Sequence, residues 1–99
     1  MNTAIKHMVI FCLHAGKGTA GADKFLKESA EELAAIPGVE RFEVMRQVSV
    51  KNDYDYGFSM EFADQTAYDA YNAHPVHVRY VQERWMKEVS RFLEIDFVK

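Results

Sequence analysis

The sequence predicts one α+β domain, with four strands and two helical regions in the order β-α-β-β-α-β and an antiparallel sheet carrying its helices on one face. Three observations lead there. Period-two alternation of apolar residues recurs in three short segments and a fourth is apolar on both parities, a helical apolar period fills two stretches between them, and 99 residues leave room for a single core.

Ile5 to Leu13 is apolar at nearly every position, with Ile5, Val9, Phe11 and Leu13 on one parity and Met8, Ile10 and Cys12 on the other. This is the pattern of a strand covered on both faces. Ala15 to Gly21 holds three glycines and reads as a loop. From Ala22 to Ile36 the residues Ala22, Phe25, Leu26, Ala30, Leu33 and Ile36 keep the helical period, opposite Lys24, Lys27, Glu28, Glu31 and Glu32, and Pro37-Gly38 ends the helix. Val39 to Val50 reads as the second strand, with Phe42, Val44 and Val48 opposite Glu43, Met45 and Gln47. After the polar turn Lys51 to Asp55, Tyr56, Phe58, Met60 and Phe62 alternate with Gly57, Ser59 and Glu61, so the second and third strands form a hairpin.

Asp64 is placed to cap a short helix to about Asn72, and His74-Pro75 breaks it. A longer helix then runs from Val76 to Ser90 with Val78, Val81, Trp85 and Val89 as its apolar stripe. Phe92 to Val98 closes the chain as a fourth strand, Leu93, Ile95 and Phe97 alternating with Glu94 and Asp96. Strands and helices in this order give the ferredoxin-like arrangement, with residues 1–99 forming one domain.

Helices on one side leave the other side of the sheet bare, and the first strand is apolar on both parities. A second copy of the same sheet is the simplest cover, so the expected assembly is a homodimer with two sheets face to face, a dimeric α/β barrel. An aromatic content of 13% in so short a chain points the same way. The net charge of −3 and the lack of a Lys/Arg run argue against nucleic acid or an anionic membrane as partner. Cys12 is the single cysteine, expected to be a buried, inert thiol; with no signal-peptide pattern and no apolar run long enough to span a bilayer, the expected location is the cytoplasm.

Ile5-Lys6-His7-Met8-Val9 at the start, Tyr56 to Phe62 in the middle, Tyr71-Asn72-Ala73-His74-Pro75-Val76-His77, and Ile95-Asp96-Phe97 at the end together resemble the stress-responsive A/B barrel (Dabb) family. The resemblance covers almost the whole chain and is sharpest at Tyr-x-x-His-Pro-x-His from Tyr71. It implies the same ferredoxin-like dimeric barrel. Many such proteins are small dimers without an assigned reaction, and plant members are associated with stress responses. The family also includes a plant polyketide cyclase that closes its substrate by intramolecular aldol chemistry. By that likeness the catalytic tyrosine falls on Tyr71, the catalytic histidine on His77 and a pocket histidine on His7, whereas a further histidine of the cyclase falls on Phe58 here. Related dimeric barrels include monooxygenases that work without a cofactor.

A histidine of near-neutral pKa can remove a proton α to a carbonyl while a tyrosine hydroxyl donates to the enolate oxygen, so Tyr71 and His77 across the His-Pro break make a minimal enolisation pair. His7, on the parity of Val9 and Phe11, reaches the same space, and Phe11, Phe58, Phe62 and Trp85 are the expected apolar walls, with His74 beside them. The plainer alternatives are a Tyr71–His77 pair that only holds the turn, a structural His74, a hydrogen-bonded core His7, and aromatics that simply fill the core. A metal at His74 and His77 would require a third ligand such as Glu83 or His7, which the spacing does not demand, and no motif for haem or flavin is present, so no metal and no cofactor are expected. Two functions follow: a dimer binding a small apolar or aromatic molecule beside Tyr71 and His77, or a cofactor-independent cyclase, isomerase, lyase or monooxygenase-like enzyme, in which His77 is the base and Tyr71 the oxyanion donor.

Overall fold

Strand β1 (Ile5–Leu13) is the hub of the sheet in the computed structural model, which describes residues 3–99. It pairs antiparallel with β3 (Tyr56–Phe62) on one side and β4 (Val89–Phe97) on the other, and β2 (Glu40–Arg46) pairs with β3, giving the order β2-β3-β1-β4. This is the ferredoxin-like topology, and the interior position of β1 accounts for its apolar pattern. Register fixes the two faces. His7 lies between Met60 and Asp96, Val9 between Phe58 and Glu94, and Phe11 between Tyr56 and Phe92; all share the helix-covered face. Met8 and Ile10 lie beside Ile95 and Leu93 on the open face.

Helix α1 (Ala20–Ala34) starts two residues before the expected Ala22, because the Thr19 hydroxyl accepts the Ala22 N–H at 3.1 Å and caps the turn. Of its five buried residues, Ala22, Phe25, Leu26 and Leu33 are those of the periodic stripe, and the fifth is Ser29. The helix stops at Ala34, and the chain reverses through Gly38, whose φ of +91° suits glycine.

β2 ends at Arg46 rather than at Val50. Gln47 closes the turn with its N–H on the Asp55 carbonyl and its side-chain amide on the Tyr54 carbonyl, and Ser49 and Asn52 side chains accept the N–H groups of Lys51 and Tyr54. Such local bonds replace a strand ladder, leaving Val48 and Val50 in solvent.

α2 (Gln65–Ala73) is capped by Asp64, which accepts from Ala67 at 2.8 Å. His74 is extended, as the residue before a proline must be, and α3 (Pro75–Tyr80) follows. The helix then loosens into a π-helical turn, Val81–Trp85, and closes with α4 (Met86–Glu88). Here the expected stripe fails at its first member: Val78 is exposed and Tyr80 is buried in its place. The wider π turn re-registers the helix, so that Tyr80 and Trp85, five positions apart, both face the sheet. Val89 and Ser90 belong to β4 rather than to the helix, whose last carbonyl, on Glu88, accepts from His14.

The core is aromatic, with Phe11 in the centre at 4.8 Å from the Phe58 ring and 5.0 Å from Trp85. Cys12 departs from expectation, being only partly buried on the open face, with its thiol 3.3 Å from the Asp53 carbonyl. On that face Leu93, Ile95 and Phe97 remain 46%, 40% and 52% exposed. Among the described residues no helix is long and apolar enough to cross a membrane.

Candidate functional site

Between the helix-facing rows of β1, β3 and β4 and the α2–α3 corner lies a cavity of about 120 Å³. Most of its wall is apolar, Phe58 and Met60 from the sheet and Trp85 and Val81 from the π turn; its polar members are His7, Tyr71, His77, Tyr80 and Glu94. The π turn thus shapes the site as well as the core.

Tyr71 ends α2 and His77 opens α3, and the His74-Pro75 corner folds one onto the other with ring centroids 4.4 Å apart. The His77 Nδ1 lies 3.2 Å from the Asn72 carbonyl, which can only accept, so Nδ1 carries the proton and Nε2 the free lone pair. Burial lowers the His77 pKa, against opposing contributions from that carbonyl and from the negative charge of Glu94. Its imidazole is therefore neutral, and basic, at pH 7. Burial drives the Tyr71 phenol far above its ordinary pKa, so it stays a proton donor. The Tyr71 ring is backed by Phe62, 4.9 Å away.

His7 is held from behind. Its Nδ1 is 2.5 Å from Asp96 Oδ1, and the Tyr68 hydroxyl donates to both Asp96 oxygens at 3.0 and 3.1 Å while lying 3.0 Å from the same imidazole nitrogen. Burial and the Asp96 carboxylate keep the Tyr68 phenol protonated. With Nδ1 donating to Asp96, Nε2 is the imidazole atom left for the cavity. Tyr80 is also buried and donates to Ser29 Oγ at 2.7 Å.

Five of the residues expected at the site, His7, Phe58, Tyr71, His77 and Trp85, line this cavity together. Three do not. Phe11 is fully buried one layer behind Phe58 and Trp85, and Phe62 sits behind Tyr71, because the centre of a small core is filled before a cavity can open. His74 is turned away from the cavity and accepts the Val76 N–H at 3.1 Å, capping α3. Among the described residues no three His, Cys, Asp or Glu side chains converge as a metal-binding group.

Glu94, Asp96 and Tyr68 were not anticipated. The alternation of β4 separates its acidic row from its apolar row, but only the pairing of Asp96 with His7 and of Glu94 with Val9 shows that the acidic row faces the helices.

The model of the stress-responsive A/B barrel domain matches residues 5–99. A Dabb-family protein of ferredoxin-like fold from Mesorhizobium loti is 49% identical, with a TM-score of 0.96 over 98% of this chain and 97% of that one. A hydroxynitrile lyase from Passiflora edulis superposes with a TM-score of 0.83 at 7% identity, covering 100% and 95% of the two chains. A dimeric ferredoxin-like protein of unknown function from Thermobifida fusca gives 0.78 at 15% identity, covering 100% and 93%. No curated protein matches the sequence.

Proposed function

This chain belongs to the stress-responsive A/B barrel family, and we propose that it is a homodimer holding a small, mostly apolar carbonyl compound in the cavity beside Tyr71 and His77. The observation that carries the ligand reading is the contact of the two polar rings, 4.4 Å apart, on the wall of an otherwise largely apolar cavity. A cavity of about 120 Å³ suits a single ring or a short chain. The dimer is supported by the apolar row Leu93, Ile95 and Phe97 on the open face and by the dimeric neighbour of like fold. A stress-related role follows the family's description, and a cytoplasmic location suits an unpaired Cys12.

The free Nε2 of His77 favours a second reading, cofactor-independent acid–base catalysis of the cyclase, isomerase or lyase kind. His77 Nε2 removes a proton α to the carbonyl, the Tyr71 hydroxyl donates to the enolate oxygen, and the imidazolium so formed, stabilised by Glu94, returns the proton to carbon or to a leaving atom. That a lyase shares this fold at 7% identity is compatible with such chemistry.

Acetophenone tests both readings, since its ring suits the cavity and its methyl protons are enolisable. Proton NMR in deuterium oxide should show binding and accelerated loss of the methyl signal. His77→Ala should lose about 10²-fold or more of that acceleration, and Tyr71→Phe about 10-fold, with the fold retained in each. Absence of binding refutes the cavity reading. Binding with exchange unaffected by His77→Ala refutes the catalytic one.

A further inference from the structure

Resting on the cavity reading above, we propose that the cavity selects uncharged ligands over anionic ones, with Glu94 as the residue that sets this preference. The charge inventory of the wall carries the argument. Among its residues there is no Lys or Arg, and the only carboxylate is that of Glu94. A second carboxylate, Asp96, stands two positions along the same helix-facing row of β4, against His7.

The cations on these elements stay off the wall: Lys6, Arg79 and Lys87 are exposed and do not line the cavity. Arg84, within the π turn, is held by Glu28 at 3.0 Å and by Glu88, on the α1 side of the helix. Arg91, on β4, lies over the Tyr54 ring and beside Asp53. His77 is half-buried, and the desolvation that lowers its pKa leaves it without a resident charge, while the hydroxyls of Tyr71 and Tyr80 stay neutral. A carboxylate or phosphate entering the site would therefore lose hydration, find no Lys or Arg on the wall, meet a His7 imidazole already committed through Nδ1 to Asp96, and approach Glu94. A ketone or aldehyde of the same shape loses little hydration and still finds the Tyr71 donor.

This narrows the substrate class. The proposed ligand is a neutral ketone or aldehyde, and any acid or phosphate ester must be absent from the part of the molecule that enters the cavity. Glu94 is a specificity-determining residue that acts through charge; its carboxylate also favours a proton on His77, the state that follows proton abstraction.

Acetophenone and benzoate have the same number of non-hydrogen atoms and nearly the same shape, and at neutral pH only benzoate is charged. Chemical-shift titrations of the wild-type protein should give acetophenone at least about tenfold tighter binding than benzoate. In Glu94→Gln the ratio of the two affinities should fall about three- to tenfold, and added salt should narrow the wild-type ratio more than that of the variant. Equal affinity of the wild type for the two ligands overturns the proposal, as does a ratio unchanged in Glu94→Gln, which would assign discrimination to desolvation alone. Failure of both ligands to bind removes the cavity reading and this inference with it; acetophenone binding without discrimination removes only the inference.

Discussion

Ile95→Asp should convert the protein from a dimer to a monomer at micromolar concentration. Ile95 lies opposite Met8 on the open face of the sheet, with Leu93 and Phe97 in the same row, and its side chain points away from the protomer's core. Burying a large apolar side chain completely is worth about 1.5–3 kcal/mol. With 40–52% of each of these three residues still exposed, a partner sheet recovers about 1 kcal/mol per residue, or ~6 kcal/mol over the two copies. The substitution removes about 2 kcal/mol of this across the two-fold axis and adds two carboxylates to a dry interface, each costing on the order of 1 kcal/mol or more even after protonation. A total of ~4 kcal/mol is about a 10³-fold weaker Kd. Sedimentation equilibrium reads that shift directly, and circular dichroism checks that the protomer remains folded. Lys27→Asp, on the outer surface of α1, is the control that should leave the assembly alone. A wild-type protein that sediments as a monomer at these concentrations refutes the reasoning, and so does an Ile95→Asp variant with wild-type Kd.

Two further outcomes are expected. Because the folded His77 has a pKa below its ordinary 6.5, the unfolded chain binds the extra proton first; stability is full above pH 6.5 and is lost as the pH falls toward the folded pKa. Urea titrations should show a shallower acid loss in His77→Gln than in the wild type, and equal slopes would contradict the assignment. Tyr80→Phe strips the buried Ser29 hydroxyl of its donor and should cost about 1–3 kcal/mol in the same assay, with a larger part restored when Ser29→Ala is added.

The order of elements was legible because each carries its own pattern: β1 is a short run apolar on both parities, β3 alternates, α1 repeats at helical spacing, and Asp64 and Pro75 mark helix starts by chemistry that is local to them. What was not legible depends on through-space partners. The π turn has no residue signature, so a helical count placed Val78 where Tyr80 belongs. The expected β2 overruns the observed strand by four residues at its C-terminal end because Val48 and Val50 have strand-like side chains, while the hydrogen bonds that end the strand come from Gln47, Ser49 and Asn52.

The site divides along the same line. Tyr71 and His77 are six residues apart across one corner, and local chemistry suffices to bring them together. His7 and Asp96 are 89 residues apart and meet only because β4 pairs with β1 in one register. A slip of one residue would exchange the rows of β4, sending Leu93, Ile95 and Phe97 toward the helices and Glu94 and Asp96 to the open face. Protomer burial alone would favour that exchange, since it would hide the greasy row. The observed register does the opposite: it commits the acidic row to the cavity and the apolar row to the surface. Covering that surface would favour such a choice, so the proposed cavity chemistry and the proposed partner both trace to one strand register.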